Sequence, residues 1–234
     1  MVSLPDNLMA IQQRIHTACA RAGRDPATVT LLAVAKSHPP ETIAAAVHCG
    51  LTHFGENKVQ EAEAKIPLCP GKARWHFIGH LQSNKVRDAV ELFGMIQTVD
   101  SLDLAREISK RAGQAAKNVP VLLEVNVAGE ASKFGYQPHR LLEEIKQLSA
   151  LPRLEVHGLM AIPPFCPLPE QSRPYFQRLR EIKAGAEKIL DYPLPQLSMG
   201  MSGDFEVAIE EGATIVRIGT ALFGERRSSF AKTG

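Results

Sequence analysis

The sequence predicts an α/β protein built as a single (β/α)8 TIM barrel, with one extra helix ahead of the first strand. Three observations carry that prediction. Eight short β-rich runs alternate with helical patterns, the alternation that a parallel sheet requires. Several runs are apolar on both alternating faces, as in Leu31-Leu32-Ala33-Val34 and Val121-Leu122-Leu123, which suits strands covered on both sides. No Gly-x-Gly-x-x-Gly follows the first run, which disfavours an open dinucleotide-binding sheet. A length of 234 residues fits either one barrel or two small domains. With neither a linker nor an internal repeat, the strand count selects one barrel.

Residues 1–27 hold an amphipathic helix with Leu8, Ile11, Ile15 and Ala18 on one face, read as covering the barrel. Residues 28–224 form the barrel and residues 225–234 a tail. Strands are predicted at Val29–Lys36, His53–Glu56, Trp75–Gly79, Met95–Asp100, Val119–Asn126, Leu154–Ile162, Gln196–Gly200 and Ile215–Thr220. The helices between them are predicted at Glu41–Cys49, Lys58–Lys65, Gln82–Leu92, Leu102–Gln114, Pro138–Leu148, Glu170–Leu190 and Asp204–Glu211, several opened by Ser, Asp or Pro. The proline-rich stretch Pro163 to Pro169 reads as the loop after strand six.

Composition excludes several classes. Lys and Arg number 27 against 25 Asp and Glu, a net charge of +2, too balanced for a protein that mainly grips nucleic acid or an anionic membrane. No apolar run approaches the roughly 18 residues needed to cross a bilayer. The N-terminus lacks a basic tip leading into an apolar stretch and a cleavage site, so an unprocessed, cytoplasmic chain is expected. Cys19, Cys49, Cys69 and Cys166 form no C-x-x-C pair and read as ordinary, mostly buried thiols. With 6% aromatic residues and no recognisable apolar stripe on the surface, a monomer is the expected state.

In a barrel of this kind the chemistry lies at the C-terminal ends of the strands. Lys36 is a single cation ending an apolar strand, on the same face as Leu32 and Val34. One reading is a lysine that leaves the core for solvent. The other is an amine held among apolar walls, where the charged form is disfavoured and the neutral form attacks a carbonyl to make a Schiff base. Ser198 to Asp204 and Arg217 to Thr220 follow strands seven and eight. Their small residues and the hydroxyls of Ser202 and Thr220 suit an anion at the usual phosphate position of barrel enzymes, although such turns also serve purely steric ends. Together with Lys36 they point to a ligand carrying a carbonyl and a phosphate. Arg217 faces either the mouth or the outer helices, and the mouth is favoured. His76 and His80 stand four apart but on a strand and turn rather than one helix face, so no metal site is expected. Glu56 beside Asn57 reads equally as a general base or as part of a helix cap.

Six ordered motifs then carry a resemblance. They are Leu32-Ala33-Val34-Ala35-Lys36; Phe54-Gly55-Glu56-Asn57 with Val59-Gln60-Glu61; Trp75-His76-Phe77-Ile78-Gly79 with Leu81-Gln82-Ser83-Asn84-Lys85; Gly158 to Pro163; Leu197 to Ser202; and Val216-Arg217-Ile218-Gly219-Thr220. On these the chain resembles the pyridoxal phosphate homeostasis proteins, whose barrel is similar to that of fold-type III enzymes such as alanine racemase. The resemblance implies that Lys36 forms the covalent aldimine with pyridoxal 5′-phosphate (PLP). It further implies that Ser202, Gly219 and Thr220 hold the phosphate, that Arg217 faces the pyridine nitrogen, and that Asn57 and Met201 line the pocket. The chain departs from the family pattern at Ala35, Lys58, His80 and Gly203, none of which replaces the lysine.

The function implied is a PLP-binding protein of intracellular vitamin B6 homeostasis, without substantial catalysis. An arginine opposite the ring nitrogen leaves that nitrogen unprotonated and the ring a weaker electron sink. The racemases of the resembling class also take a catalytic tyrosine from a second domain of a partner subunit, whereas Tyr136, Tyr175 and Tyr192 lie in or near helical segments here. The alternatives are a slow PLP-dependent racemase or related enzyme with Lys36 or Glu56 as base, and a lysine-dependent aldolase acting on a sugar phosphate without cofactor. Apo forms of PLP-dependent enzymes are the expected recipients, with no nucleic-acid, membrane or metal partner.

Overall fold

Eight strands run parallel and close in sequence order, β1 pairing with β8, in a computed structural model that describes residues 3–130 and 133–224. The strands are β1 (Thr30–Val34), β2 (His53–Glu56), β3 (Arg74–Phe77), β4 (Met95–Val99), β5 (Val119–Glu124), β6 (Leu154–Met160), β7 (Gln196–Met201) and β8 (Ile215–Ile218). The helices are α1 (Leu4–Arg21), α2 (Pro40–His48), α3 (Val59–Lys65), α4 (Val86–Leu92), α5 (Leu102–Gln114), α6 (Pro138–Ser149), α7 (Arg173–Leu190), α8 (Phe205–Glu210) and α9 (Thr220–Phe223). The predicted tail, residues 225–234, lies outside the described residues.

Alternation along each strand divides the apolar residues into two cores. Inside the barrel, Leu32, Leu122, Met160 and Ile215 pack together with Ile78 and Met95. The opposite faces, such as Ala33 and Ala35 of the first strand segment or Leu123 of β5, meet the helical layer in a much larger core. Helix α1 opens on Ser3, which forms a capping box with Asp6, and its Leu8, Ile11, Ile15, Ala18 and Cys19 are buried. Its arginines reach α8, Arg14 to Glu206 at 2.8 Å and Arg21 to Glu210 at 2.7 Å.

Several boundaries differ from the sequence pattern, each for a local reason. β1 stops at Val34, and Lys36 stands in the turn beyond it, followed by Ser37 at a left-handed φ of 65°. A 3₁₀ turn, Ser83–Lys85, precedes α4, and another, Pro169–Ser172, precedes α7, whose second residue is Pro174. Proline lacks the N–H that an interior helical position would use and so marks the first turn. β8 ends at Ile218, and Thr220 opens the short α9 that the pattern did not reveal. Of the four cysteines only Cys19 is buried, and the others are half-buried.

Candidate functional site

At the C-terminal mouth of the barrel, where the loops after the strands converge, a cavity of about 520 Å³ opens. Lys36, Asn57, Met201, Ser202, Arg217, Gly219 and Thr220 all line it, together with Val34, Ile78, His80, Thr98, Glu124, Phe134 and Ile162. The amine of Lys36 comes from the turn after β1, the hydroxyl of Ser202 from the loop after β7, and that of Thr220 from the first residue of α9. Closure of β1 against β8 makes these neighbours, Leu32 pairing with Arg217.

The segments that follow β7 and β8 are tied to each other. Ser202 Oγ accepts from the Ala221 N–H at 3.3 Å, and Asp204 Oδ1 accepts from the Met201 N–H at 2.7 Å. Gly200 sits at φ 90°, and a Cβ there would lie 2.6 Å from Ala208 Cβ and 2.9 Å from Phe205 Cα. Only glycine suits that turn. At Gly79 an added Cβ would fall 2.1 Å from the Asn57 carbonyl oxygen, so the β3 turn presses directly on the residue after β2.

Arg217 points into the barrel, on the interior face with Leu32 and Ile215, and not toward the outer helices. It is 4% exposed. Nη1 donates to Ser198 Oγ at 2.7 Å and Nη2 to the Ala161 carbonyl at 2.8 Å. Burial pulls its pKa down to about 10, opposed by Glu124 and Asp204, and it remains a cation at neutral pH.

Glu124 is the site residue that the sequence reading missed. Burial raises its carboxyl to about 7, Asp100 adds to the rise, and Arg217 opposes it. The signal was present: Glu124 shares a strand face with Leu122, an interior residue, and is a lone acid at the end of an apolar run. Asn126 instead pins the following loop, donating to the Glu130 carbonyl at 2.8 Å and accepting from the Gly129 N–H at 2.9 Å.

Glu56 does not reach the cavity. It lies fully buried under α3, paired with Lys65, and burial raises its pKa while Lys65 opposes the rise. Lys65 Nζ also donates to the Ala35 carbonyl at 2.9 Å. Glu61, on the same helix, is held below the usual carboxylate range by Lys58, with a further contribution from the Ser37 backbone N–H. The Phe-Gly-Glu-Asn motif and the helix after it therefore brace the turn carrying Lys36 from behind. Of the two histidines four apart, His76 is inside the barrel, bonded to His53 and Gln97. His80 stands at the mouth, stacked on Phe134 with ring centroids 3.7 Å apart.

Comparison with known proteins identifies the lineage. Residues 7–227 match the alanine racemase N-terminal domain family. A pyridoxal phosphate homeostasis protein of Aquifex aeolicus is 48% identical, over 95% of this chain and 98% of its own. Its Escherichia coli counterpart is 41% identical, over 97% and 98%. PipY of Synechococcus elongatus, solved with PLP bound, is 39% identical with a TM-score of 0.80, covering 92% of this chain and 100% of its own. Alanine racemase of Clostridium difficile, at 15% identity and a TM-score of 0.68, shares the fold. The chain belongs to the alanine racemase N-terminal domain family and, within it, to the pyridoxal phosphate homeostasis proteins.

Proposed function

We propose that this chain binds PLP in the mouth cavity and serves as a carrier in PLP homeostasis. The observation that carries the reading is the convergence of an amine, two hydroxyl-bearing turns and a buried guanidinium on one cavity of about 520 Å³. That donor set fits the cofactor: an amine for its aldehyde, hydroxyls and backbone N–H groups for its phosphate, and a cation for its ring. When bound, PLP supplies an aldehyde that condenses with an amine, releasing water, and a ring that draws electrons from that linkage.

The chain's own residues set the rest. Lys36 supplies the tethering amine, Ser202, Gly219 and Thr220 hold the phosphate, and Asn57 and Met201 shape the walls. Arg217 faces the ring nitrogen and keeps its own proton, which withholds a proton from that nitrogen. The three tyrosines lie away from the cavity: Tyr136 is buried among core residues, Tyr175 packs on that core from α7, and Tyr192 follows α7 at 43% exposure. A carrier of this design works in the cytoplasm as a monomer, with apo PLP-dependent enzymes as recipients.

A second reading, slow PLP-dependent racemisation or related amino-acid chemistry, is favoured by one observation: Glu124 is a cavity-lining carboxyl with a pKa of about 7, suited to exchange protons at neutral pH. Glu56 is unavailable as the base because it faces α3. Absorbance spectra test the carrier reading. Yellow absorbance that stays with the protein after unbound PLP is removed, and is lost in Lys36→Ala, is expected, and a wild-type protein that retains no colour overturns it. Hydrogen–deuterium exchange at Cα of a panel of amino acids separates the two. Exchange at enzyme-like rates, lost in Glu124→Gln, would establish the second.

A further inference from the structure

The barrel interior holds, beside its apolar layer, an unbroken chain of polar side chains drawn from five strands. Arg217 Nη1 meets Ser198 Oγ at 2.7 Å, and Ser198 Oγ meets Gln97 Oε1 at 2.6 Å. Gln97 Nε2 lies 2.9 Å from His76 Nδ1, and His76 Nε2 lies 3.1 Å from His53 Nδ1. Gln97 and Ser198 are fully buried, and His76 and Arg217 nearly so. Buried polar groups are costly unless every bond is made in the right sense.

Proton counting fixes that sense. Arginine only donates, so Ser198 must accept from Arg217, and its single hydroxyl proton goes to Gln97. With the Gln97 oxygen taken, its amide N–H donates to His76 Nδ1. His76 then carries its proton on Nε2 and donates to His53 Nδ1. Every bond points from Arg217 toward the barrel floor. A protonated His76 would set two donors face to face at Gln97, and burial, with His53 adding to it, indeed pushes His76 down to about 3.

We propose that Ser198, Gln97 and His76 are positioning residues for Arg217: the one-way relay presents a correctly aimed serine oxygen that fixes the guanidinium plane facing the cofactor ring. The relay, with the Ala161 carbonyl, holds both terminal nitrogens of Arg217. Freed of either anchor, the guanidinium can rotate and its contact with the ring loosens. The inference rests on the reading that PLP occupies the mouth cavity with its ring against Arg217.

Two measurements test it. In the unmutated protein without cofactor, ¹⁵N NMR of His76 is expected to show a neutral ring protonated at Nε2, and a proton at Nδ1 overturns the relay. In PLP-loaded protein, Gln97→Leu removes two bonds at nearly constant volume. By releasing Ser198 from its aim at Arg217, it is expected to shift the absorbance maximum of the bound cofactor and weaken retention about tenfold, the scale of one lost hydrogen bond. Gln97→Glu again offers Ser198 an acceptor and draws a proton from His76 Nδ1, so it is expected to restore the wild-type maximum while reversing the His76 tautomer. A folded Gln97→Leu protein with wild-type maximum and affinity overturns the positioning role. Should Gln97→Leu fail to fold, Ser198→Ala, with the same expected shift, takes its place. Wild-type protein that takes up no PLP overturns the cofactor reading instead, and the NMR result still decides the relay.

Discussion

Lys65, on the outer face of the barrel, donates to the main-chain carbonyl of Ala35 at 2.9 Å, one residue before the cavity lysine. The same ammonium pairs with the fully buried Glu56. One helical cation thus joins two adjacent strand ends and braces the turn that presents Lys36. Removing it strands a carboxylate in the core. Lys65→Met is expected to lower unfolding free energy by about 3–5 kcal/mol, and Glu56→Leu in the same chain to recover much of that loss. Urea denaturation of the single and double variants measures both. Equal stability of wild type and Lys65→Met would contradict the bracing.

Glu124 gives a pH signature. In the unfolded chain a glutamate releases its proton near 4.5, whereas the folded protein holds this one up to about 7. Between those values the folded state binds more protons, so stability falls as pH rises through the window. The full shift corresponds to about 3 kcal/mol. Denaturation at a series of pH values is expected to show that fall in wild type and a flatter profile in Glu124→Gln. Parallel profiles would remove Glu124 as the source.

Two glycines near the C-terminal ends of β7 and β8 should behave differently. Gly200 has φ 90° and no space for a methyl group, so Gly200→Ala is expected to cost at least about 2 kcal/mol. Gly219 has φ −113°, and its added Cβ would lie 3.4 Å from Val34 Cβ. A side chain is tolerated by the fold there but intrudes on the cavity. Gly219→Leu is expected to weaken PLP retention more than it lowers thermal stability, and unchanged affinity would move the phosphate elsewhere.

Phe134, 56% exposed, stacks on His80 at the cavity rim. Phe134→Ala is expected to raise the PLP release rate severalfold while changing stability by no more than about 0.5 kcal/mol, the usual size for an exposed position. Stopped-flow transfer of PLP to an apo-enzyme trap reads the rate. An unchanged rate would show that the stacked pair does not cover the ligand.

The sequence by itself determined the barrel and the residues at its mouth. Apolar runs of strand length, alternating with helical patterns, specify buried parallel strands, and in such a fold the residues just beyond the strand ends gather at the mouth. Lys36, Ser202, Gly219 and Thr220 were legible for that reason. Glu56 was not, because two readings of a lone acid after a strand differ only in which way its side chain turns, and the partner that decides it, Lys65, is on the following helix. The tertiary structure alone decided what crosses the barrel. Ser198 and Gln97 lie 101 residues apart in the chain and meet at 2.6 Å only because β4 and β7 face each other across a closed interior. Local sequence sets the period and face of each strand. Closure and register bring distant faces together, and the direction of a hydrogen-bonded relay follows from those contacts.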